Sequence, residues 1–455
     1  MSPKGNRLLT GAIRLLPFIL IVLPAVLGFL YVHAFGVSVV YGDQWRMVAF
    51  FHQMQQGTLS LPDLFAEHNE HRIFFPRIAM LALGTATEWN NLAEMYLTQV
   101  CLLITLFLLL LIFKQNVKAT LFLFVPIAFL VFSLRQSLNM LLGFQIAFVF
   151  VQTFGVLTLC LLHFSGRGKF GKLAFPAALA SGIVASLSAL PGLFVWPAGF
   201  LQILIGPMER STKKLLAGAW ILVGVATWAV YFIEPAQTGN ANSSSLPVLA
   251  SPAVMAEHFA TLVGGSMFWE PQQSLAFIVG LALIGLSGIA LLLVYKSGGL
   301  SGNSFWIALV AYAFLILASI TLGRAGLGVE NSLTPRYASF SVLLVIGVYA
   351  MLVKLAAEKG SRPAAAMLGA LSVAVLLSLP VSYSTGLNVG IQHKAEKEEA
   401  AAVLSTYESQ PDELLQSYLR RDPDSLRRLA PLLENLEYNV FSEGGEPSPP
   451  AADPD

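Results

Sequence analysis

Asp43, in Tyr41-Gly42-Asp43-Gln44-Trp45, stands at the end of the first long apolar run, where a carboxylate just outside a membrane can act on a lipid-borne substrate. A charged cluster follows it, Glu67-His68-Asn69-Glu70-His71-Arg72. If that run is helical, Glu67 and His71 share one face while His68 and Arg72 share the next. Such a set can orient a carboxylate, bind sugar hydroxyls or hold a divalent metal. It lacks the His-Glu-x-x-His spacing of metalloproteases. A second group comes much later: Arg324, Glu330, Arg336 and Tyr337. Guanidinium grips phosphate oxygens through paired hydrogen bonds and stays charged beside lipid, so phosphate binding is the chemistry expected of these arginines. Plainer readings stand beside these. Gly42-Asp43 is ordinary turn chemistry, the 67–72 run could be a solvated anchoring turn, and Arg324 and Arg336 could pair with Glu330 or with headgroups.

The elements that must position these groups are membrane spans. Of 455 residues, 56% are hydrophobic and only 12% charged, with a mean hydropathy of +0.69. Soluble domains carry about a quarter charged residues. The expected fold is all-α and polytopic, with eleven spans at 15–36, 92–113, 119–134, 146–164, 173–190, 193–206, 215–233, 275–295, 304–322, 338–353 and 364–383. The 193–206 run is short, and Pro191-Gly192 before it marks a tight hairpin or a re-entrant pair. The first run is long for a signal-peptide core and reads as a retained anchor. Cys101 and Cys160 lie inside apolar runs, so neither disulfides nor a metal knuckle is indicated. A net charge of +1 gives no basis for a nucleic-acid partner.

Basic residues set the expected orientation. Lys4, Arg7 and Arg14 precede the first span and place the N-terminus in the cytoplasm. With eleven spans, the later basic hairpins at Lys114 and Lys118, Arg167 to Lys172, Arg210 to Lys214, Lys296, and Lys354 to Arg362 all fall on that side. This holds only if Ile73–Thr87 does not cross, so that segment is expected to lie in the outer interface. The outer face then holds the loop 37–91, a short loop at 135–145, loops at 234–274 and 323–337, and the tail from 384. The domain reading is a spanning domain at 1–383 and an acidic, partly helical, extracytoplasmic tail at 384–455. Helices are expected near Leu414–Leu419 and Leu426–Leu433, and disorder at Pro447-Ser448-Pro449-Pro450. Trp45, Trp89, Trp196, Trp269 and Trp306 suit an interfacial belt. Asn242-Ser243-Ser244 fits a glycosylation acceptor, and Arg135 and Gln145 face outward, with packing the favoured role for Gln145.

Taken in order, these residues suggest a family. A first span, an Asp just after it, an outer loop with interfacial helices and then many spans resemble the C-type superfamily of membrane glycosyltransferases. Gly42-Asp43-Gln44-Trp45, His68-Asn69-Glu70-His71-Arg72, Gly143-Phe144-Gln145, Val195-Trp196-Pro197 and Pro335-Arg336-Tyr337 look more narrowly like a bacterial branch of it, over roughly residues 10–385. The resemblance implies a polyprenyl-phosphate-linked sugar donor, a glycan, lipid or protein acceptor, and an inverting transfer at the outer face of the inner membrane. It makes Asp43 the general base. No acid adjoins Asp43, so the second acid falls to Glu67, Glu70 or Asp63, with Glu70 the expected catalytic partner. Glu67, His68, His71, Arg72, Arg324, Arg336 and Tyr337 are the expected substrate-binding residues. A divalent metal is possible but nothing requires one, and no metal ligands are assigned.

Two rival readings come from other classes. A flippase for lipid-linked or polysaccharide precursors would need a polar path through the spans, whose interiors are nearly free of ionisable groups. A non-enzymatic scaffold for envelope assembly would use the acidic tail as its docking surface.

Overall fold

A helix satisfies its own backbone polar groups, so an apolar run that must lie in lipid folds as one. The computed structural model describes residues 3–165, 168–233 and 251–442, and its regular elements are all helical. Nine described segments are long and apolar enough to cross a membrane by length and composition. The chain is therefore a multi-pass membrane protein. The proposed glycosylation acceptor at Asn242 and the proline-rich end at 447–450 lie outside the described residues.

Helix α1 (Pro3–Phe35) leads into the first loop, which holds α2 (Trp45–Gln55), α3 (Leu61–Phe65) and α4 (Phe74–Ala86). With 13 residues, α4 is about 20 Å long, short of the bilayer core of about 30 Å. Next come α5 (Asn91–Asn116), the broken segment α6 (Val125–Val131) and α7 (Ser137–Leu141), and α8 (Ile146–Phe164). The pair α9 (Gly168–Ser186) and α10 (Val195–Ile205) is joined by a 3₁₀ turn at Leu190–Phe194, and its apolar stretches are shorter than the nine. The nine segments and this short pair lie over the eleven runs read from the sequence, and among the described segments the nine alone are long enough to cross. α11 (Arg210–Phe232), α12 (Pro252–Gly264), α13 (Gln273–Lys296), α14 (Ser304–Arg324) and α15 (Ala338–Lys359) complete the bundle. α15 is buried along nearly its whole length and forms the centre of the bundle.

The last long helix, α16 (Arg362–Ser405), has 44 residues and is about 66 Å long, twice a bilayer core. It runs through position 384 without a break, so the tail begins as a projecting continuation of the last span. Tyr31 hydroxyl donates to Gly386 O at 2.7 Å and Lys394 Nζ to Ala34 O at 3.2 Å, tying the projection to the end of α1. α17 (Asp412–Leu419) and α18 (Pro423–Asn435) follow where the sequence pattern places them, and α18 packs on α2.

Some sequence expectations are corrected here. The 234–274 loop contains α12, a short helix packed closely on α13. The 135–145 stretch is buried, not an open loop: Arg135 donates to Phe268 O and Leu333 O and stacks on the Trp269 ring. The five tryptophans assigned to an interfacial belt are all buried in the protein, at 7% exposure or less. They fill gaps between helices, as where Trp196 packs on Trp220 and donates to Ser186 Oγ at 2.9 Å.

The connections also fix which charges share an end. Lys118 N–H donates to Glu358 Oε1 at 3.2 Å, and Lys354 Nζ to Gly302 O at 2.7 Å. That is the opposite end of α14 and α15 from Arg324 and Arg336.

Close packing of α12 on α13 needs two glycines. A Cβ on Gly280 would collide with the Ala260 carbonyl, and one on Gly264 with the Ala276 carbonyl, whereas Gly285 on α13 faces open space. Gly280→Ala is expected to lower stability in detergent by about 1–3 kcal/mol, the usual range for overpacking. Gly285→Ala should match the wild type. Thermal unfolding of the purified variants checks both.

Candidate active site

The first loop enters its charged turn from extended backbone at Tyr41. Gly42 then adopts φ +55°, a left-handed conformation that favours glycine. The 3₁₀ turn Gly42–Gln44 closes when Tyr41 N–H donates to Gln44 Oε1 at 3.2 Å. Gln44 in turn donates through Nε2 to Glu94 Oε2 at 3.4 Å, and Trp89 Nε1 donates to the other oxygen at 3.0 Å. With its neighbour anchored inward, Asp43 projects outward and its side chain is 54% exposed.

Asp43 Oδ1 lies 3.5 Å from His68 Nε2. Arg46 Nη1 donates to His68 Nδ1 at 3.4 Å. Guanidinium has no acceptor, so Nδ1 must be the lone-pair nitrogen and the ring proton sits on Nε2, facing Asp43. The His68 side chain beside it holds the Asp43 carboxyl below its ordinary 3.8 against the opposing effect of burial. Burial keeps His68 below its ordinary 6.5 despite Asp43 beside it. At neutral pH the pair is a carboxylate oriented by a neutral imidazole.

Glu67 to Arg72 is not helical. Asn69 takes φ +54°, His68 N–H donates to His71 O at 2.7 Å, and His71 N–H donates to His68 O at 3.0 Å. This tight turn places the two histidines on its two arms. The helical face-sharing expected of the run is thus replaced by a turn. Glu67 and Arg72, expected to bind substrate, are taken up by packing. Arg72 is 1% exposed and donates from Nε to Tyr231 O at 2.6 Å and from Nη1 to Phe65 O at 2.8 Å, with Glu67 at 3.4 Å. A buried guanidinium needs such a full set of acceptors, and the carbonyls supply it. Asp63 is also elsewhere engaged: it caps α3 by accepting the Ser60 N–H at 2.9 Å.

The remaining residues converge. Arg324, at the end of α14, forms an ion pair with Glu70, and His71 Nε2 lies 3.7 Å from the same carboxylate. Burial opposes ionisation of Glu70, but His71 and Arg324 together hold it below its ordinary 4.5. Burial pushes His71 down to about 4. These groups open on a cavity of about 290 Å³, with Glu70, His71, Arg324 and Tyr337 on its polar side and Phe148 and Ile320 among its apolar lining. Asp43 lies beside His68, on the other arm of the turn from His71. Arg336 sits close enough to act electrostatically on both Asp43 and His71. It stacks on Tyr337, and among the described residues it makes no ion pair.

Arg46, Glu94 and Gln44 also belong to this site: Arg46 is one of the first loop's charges and Gln44 stands in the Gly42-Asp43-Gln44-Trp45 motif, both without an assigned role, and Glu94 carries no assignment from the sequence. Glu94 lay at the very start of an apolar run, which was its one visible signal. Gly143, in one of the quoted motifs, packs directly on Glu94, where a Cβ would collide with the carboxylate. Among the described residues no group of three or more His, Cys, Asp or Glu side chains is placed to hold a metal ion. Comparison with known proteins gives no match: no family model, no curated protein and no solved structure matches the chain.

A titration follows from His71. Its folded pKa lies below the ordinary value, so between 6.5 and about 4 the unfolded chain binds the extra proton. Stability from this group is therefore complete above pH 6.5 and declines as pH falls toward about 4. Thermal unfolding of the wild type is expected to drop across that window, and His71→Gln should give a flatter profile.

Proposed function

We propose that the protein is a membrane glycosyltransferase that moves a sugar from a polyprenyl-phosphate-linked donor to an acceptor hydroxyl, at the outer face of the cell's inner membrane. The observation that carries this reading is that Asp43, paired with His68, stands on the same turn whose Glu70 and His71 line a cavity with Arg324, with Arg336 near enough to act on both Asp43 and His71. The basic hairpins read from the sequence support the orientation, with the N-terminus in the cytoplasm.

In this mechanism Asp43 accepts the proton of the acceptor hydroxyl as that oxygen bonds to the anomeric carbon. The bond from that carbon to the phosphate oxygen breaks, and polyprenyl phosphate leaves as an anion. Attack on the face opposite the phosphate inverts the centre. His68 Nε2, 3.5 Å from Asp43 Oδ1, stands beside one carboxylate oxygen, and the depressed pKa keeps the carboxylate ionised at neutral pH. A weak base suffices, because the hydroxyl becomes acidic only as it bonds to an electron-poor carbon.

Charge development on the leaving phosphate is the second demand, and preorganised cations meet it best. Among the described residues Arg336 makes no ion pair, and in this scheme it meets the phosphate. Arg324 is already neutralised by Glu70, so Glu70 in this scheme holds Arg324 in place and is released toward substrate when phosphate binds. His71 and Tyr337 line the sugar's side of the cavity. Glu67 and Arg72 drop out of the substrate-binding set.

The test is the purified protein in lipid nanodiscs with labelled polyprenyl-phosphate sugars. Asp43→Asn is expected to cut transfer by roughly 100-fold or more, the usual share of a general base. Arg336→Gln should weaken both donor binding and turnover. Unchanged transfer in Asp43→Asn would remove the mechanism. Vectorial movement of the lipid-linked sugar with no covalent product would favour the flippase.

A further inference from the structure

We propose that the C-terminal segment is a working part of this site, with Asn439 a positioning residue for the turn that carries Asp43. The proposal rests on Asp43 acting as the base. Its evidence is a hydrogen-bonded junction nearly four hundred residues apart in the chain.

Asn439 follows α18 and is 4% exposed. Its Oδ1 accepts the Val40 N–H at 3.1 Å. Its Nδ2 lies 2.9 Å from Trp89 O, 2.9 Å from Asn91 Oδ1 and 3.1 Å from Ser38 Oγ. Its own N–H donates to Glu88 O at 2.7 Å. The amide orientation is fixed by these partners, since the Val40 N–H can only donate and the Trp89 carbonyl can only accept. One side chain therefore joins both ends of the first loop, residues 38–40 and residues 88–91.

The junction also holds an unfavourable backbone. Glu88 and Trp89 both adopt left-handed conformations, φ +51° and +52°, and Asn439 itself has φ +61°. Side chains other than Gly and Asn rarely take this form, and a Trp in it costs free energy that surrounding contacts must offset. Asn439 bonds to the carbonyls of both strained residues. Trp89 in that conformation delivers its indole N–H to Glu94, which in turn holds Gln44.

A second contact comes from the same segment. Lys397, on the projecting part of α16, is 5% exposed with its Nζ over the Tyr41 ring, 2.8 Å from the centroid. The two residues immediately before Gly42-Asp43 are thus each held by the C-terminal segment: Val40 through its N–H and Tyr41 through its ring. The residue immediately after is held through Gln44 and Glu94. Gly42 in its left-handed conformation contributes no side chain of its own to fix the turn. The direction of the Asp43 carboxylate is set by these brackets and by His68.

Simple packing of a tail would not need this. It would bury apolar surface, as Leu415, Leu419, Leu426 and Leu433 do. A polar side chain bonded to a loop amide, a loop carbonyl and two loop side chains fixes orientation, which is what a general base requires.

The test uses the full-length protein in nanodiscs, comparing Asn439→Ala, Asn439→Asp and wild type. Hydrogen exchange at 38–44 and 88–91 is expected to accelerate in Asn439→Ala. In Asn439→Asp, which keeps the acceptor for Val40, 88–91 should accelerate while 38–40 stays closer to wild type. Transfer should fall roughly 100-fold in kcat for Asn439→Ala with donor KM within about twofold, as for a misplaced base. Should Asn439→Ala fail to fold, Asn439→Asp and Lys397→Met carry the same two readouts. Unchanged exchange at 38–44 and 88–91 overturns the proposal, and so does accelerated exchange with full kcat. If wild-type protein shows no transfer yet exchange responds as stated, the junction stands and the glycosyltransferase reading falls.

Discussion

Charge is expensive in the hydrocarbon core of a bilayer, and that constraint organises the whole molecule. The long apolar helices can lie in lipid only if ionisable groups gather at their ends. At one end this produces basic hairpins such as Lys354 and its neighbours. At the other it produces a crowded polar mouth, where Asp43, Glu70, Arg324 and Arg336 meet. Crowding then shapes the chemistry. The arginines divide: Arg324 is neutralised by Glu70, Arg72 and Arg135 are absorbed by carbonyls, Arg46 is held by the His68 and Asn69 side chains, and Arg336 makes no ion pair among the described residues.

This sorting of arginines is the clearest lesson of the site. From the sequence, an arginine at the polar end of a span asks for a reason, and phosphate is one. For Arg72, Arg77 and Arg135 the reason is structural. Arg77 donates to the Leu64 and Ala66 carbonyls and stacks on the Phe50 ring, locking α3 onto α4. A guanidinium carries five N–H donors in a flat fork, and loop carbonyls satisfy it as well as a phosphate does. The arginines to which the proposed mechanism gives a phosphate are those at the ends of α14 and α15.

Much of the fold was legible because apolar length and the position of basic residues are local signals. The apolar runs, the stretch around α4 and the two tail helices all fall on helices in the structure, nine of the described segments being long and apolar enough to cross a membrane. The short pair α9 and α10 was visible in Pro191-Gly192. The site was legible in part: Asp43, His68, Glu70, His71, Arg324, Arg336 and Tyr337 do come together. What escaped was set by tertiary contacts. The turn at 68–71 exists because Asn69 takes a left-handed backbone, so its helical reading failed. Glu94 looked like a charge at the end of a span. Asn439 lay in a polar tail with no periodicity to mark it, because its partners are distant in the chain.

Proximity of the first loop to the end of α14 underlies the site, and cross-linking measures it directly. In a Cys101→Ala, Cys160→Ala background, Glu70→Cys and Arg324→Cys would be combined and treated with a short bifunctional maleimide, with Glu70→Cys plus Lys354→Cys as the opposite-end control. Efficient intramolecular cross-linking of the first pair alone, read by mass spectrometry of the linked peptides, is the expected result. Cross-linking of the first pair no better than the control would contradict the account, because the carboxylates and guanidiniums would then not share a mouth.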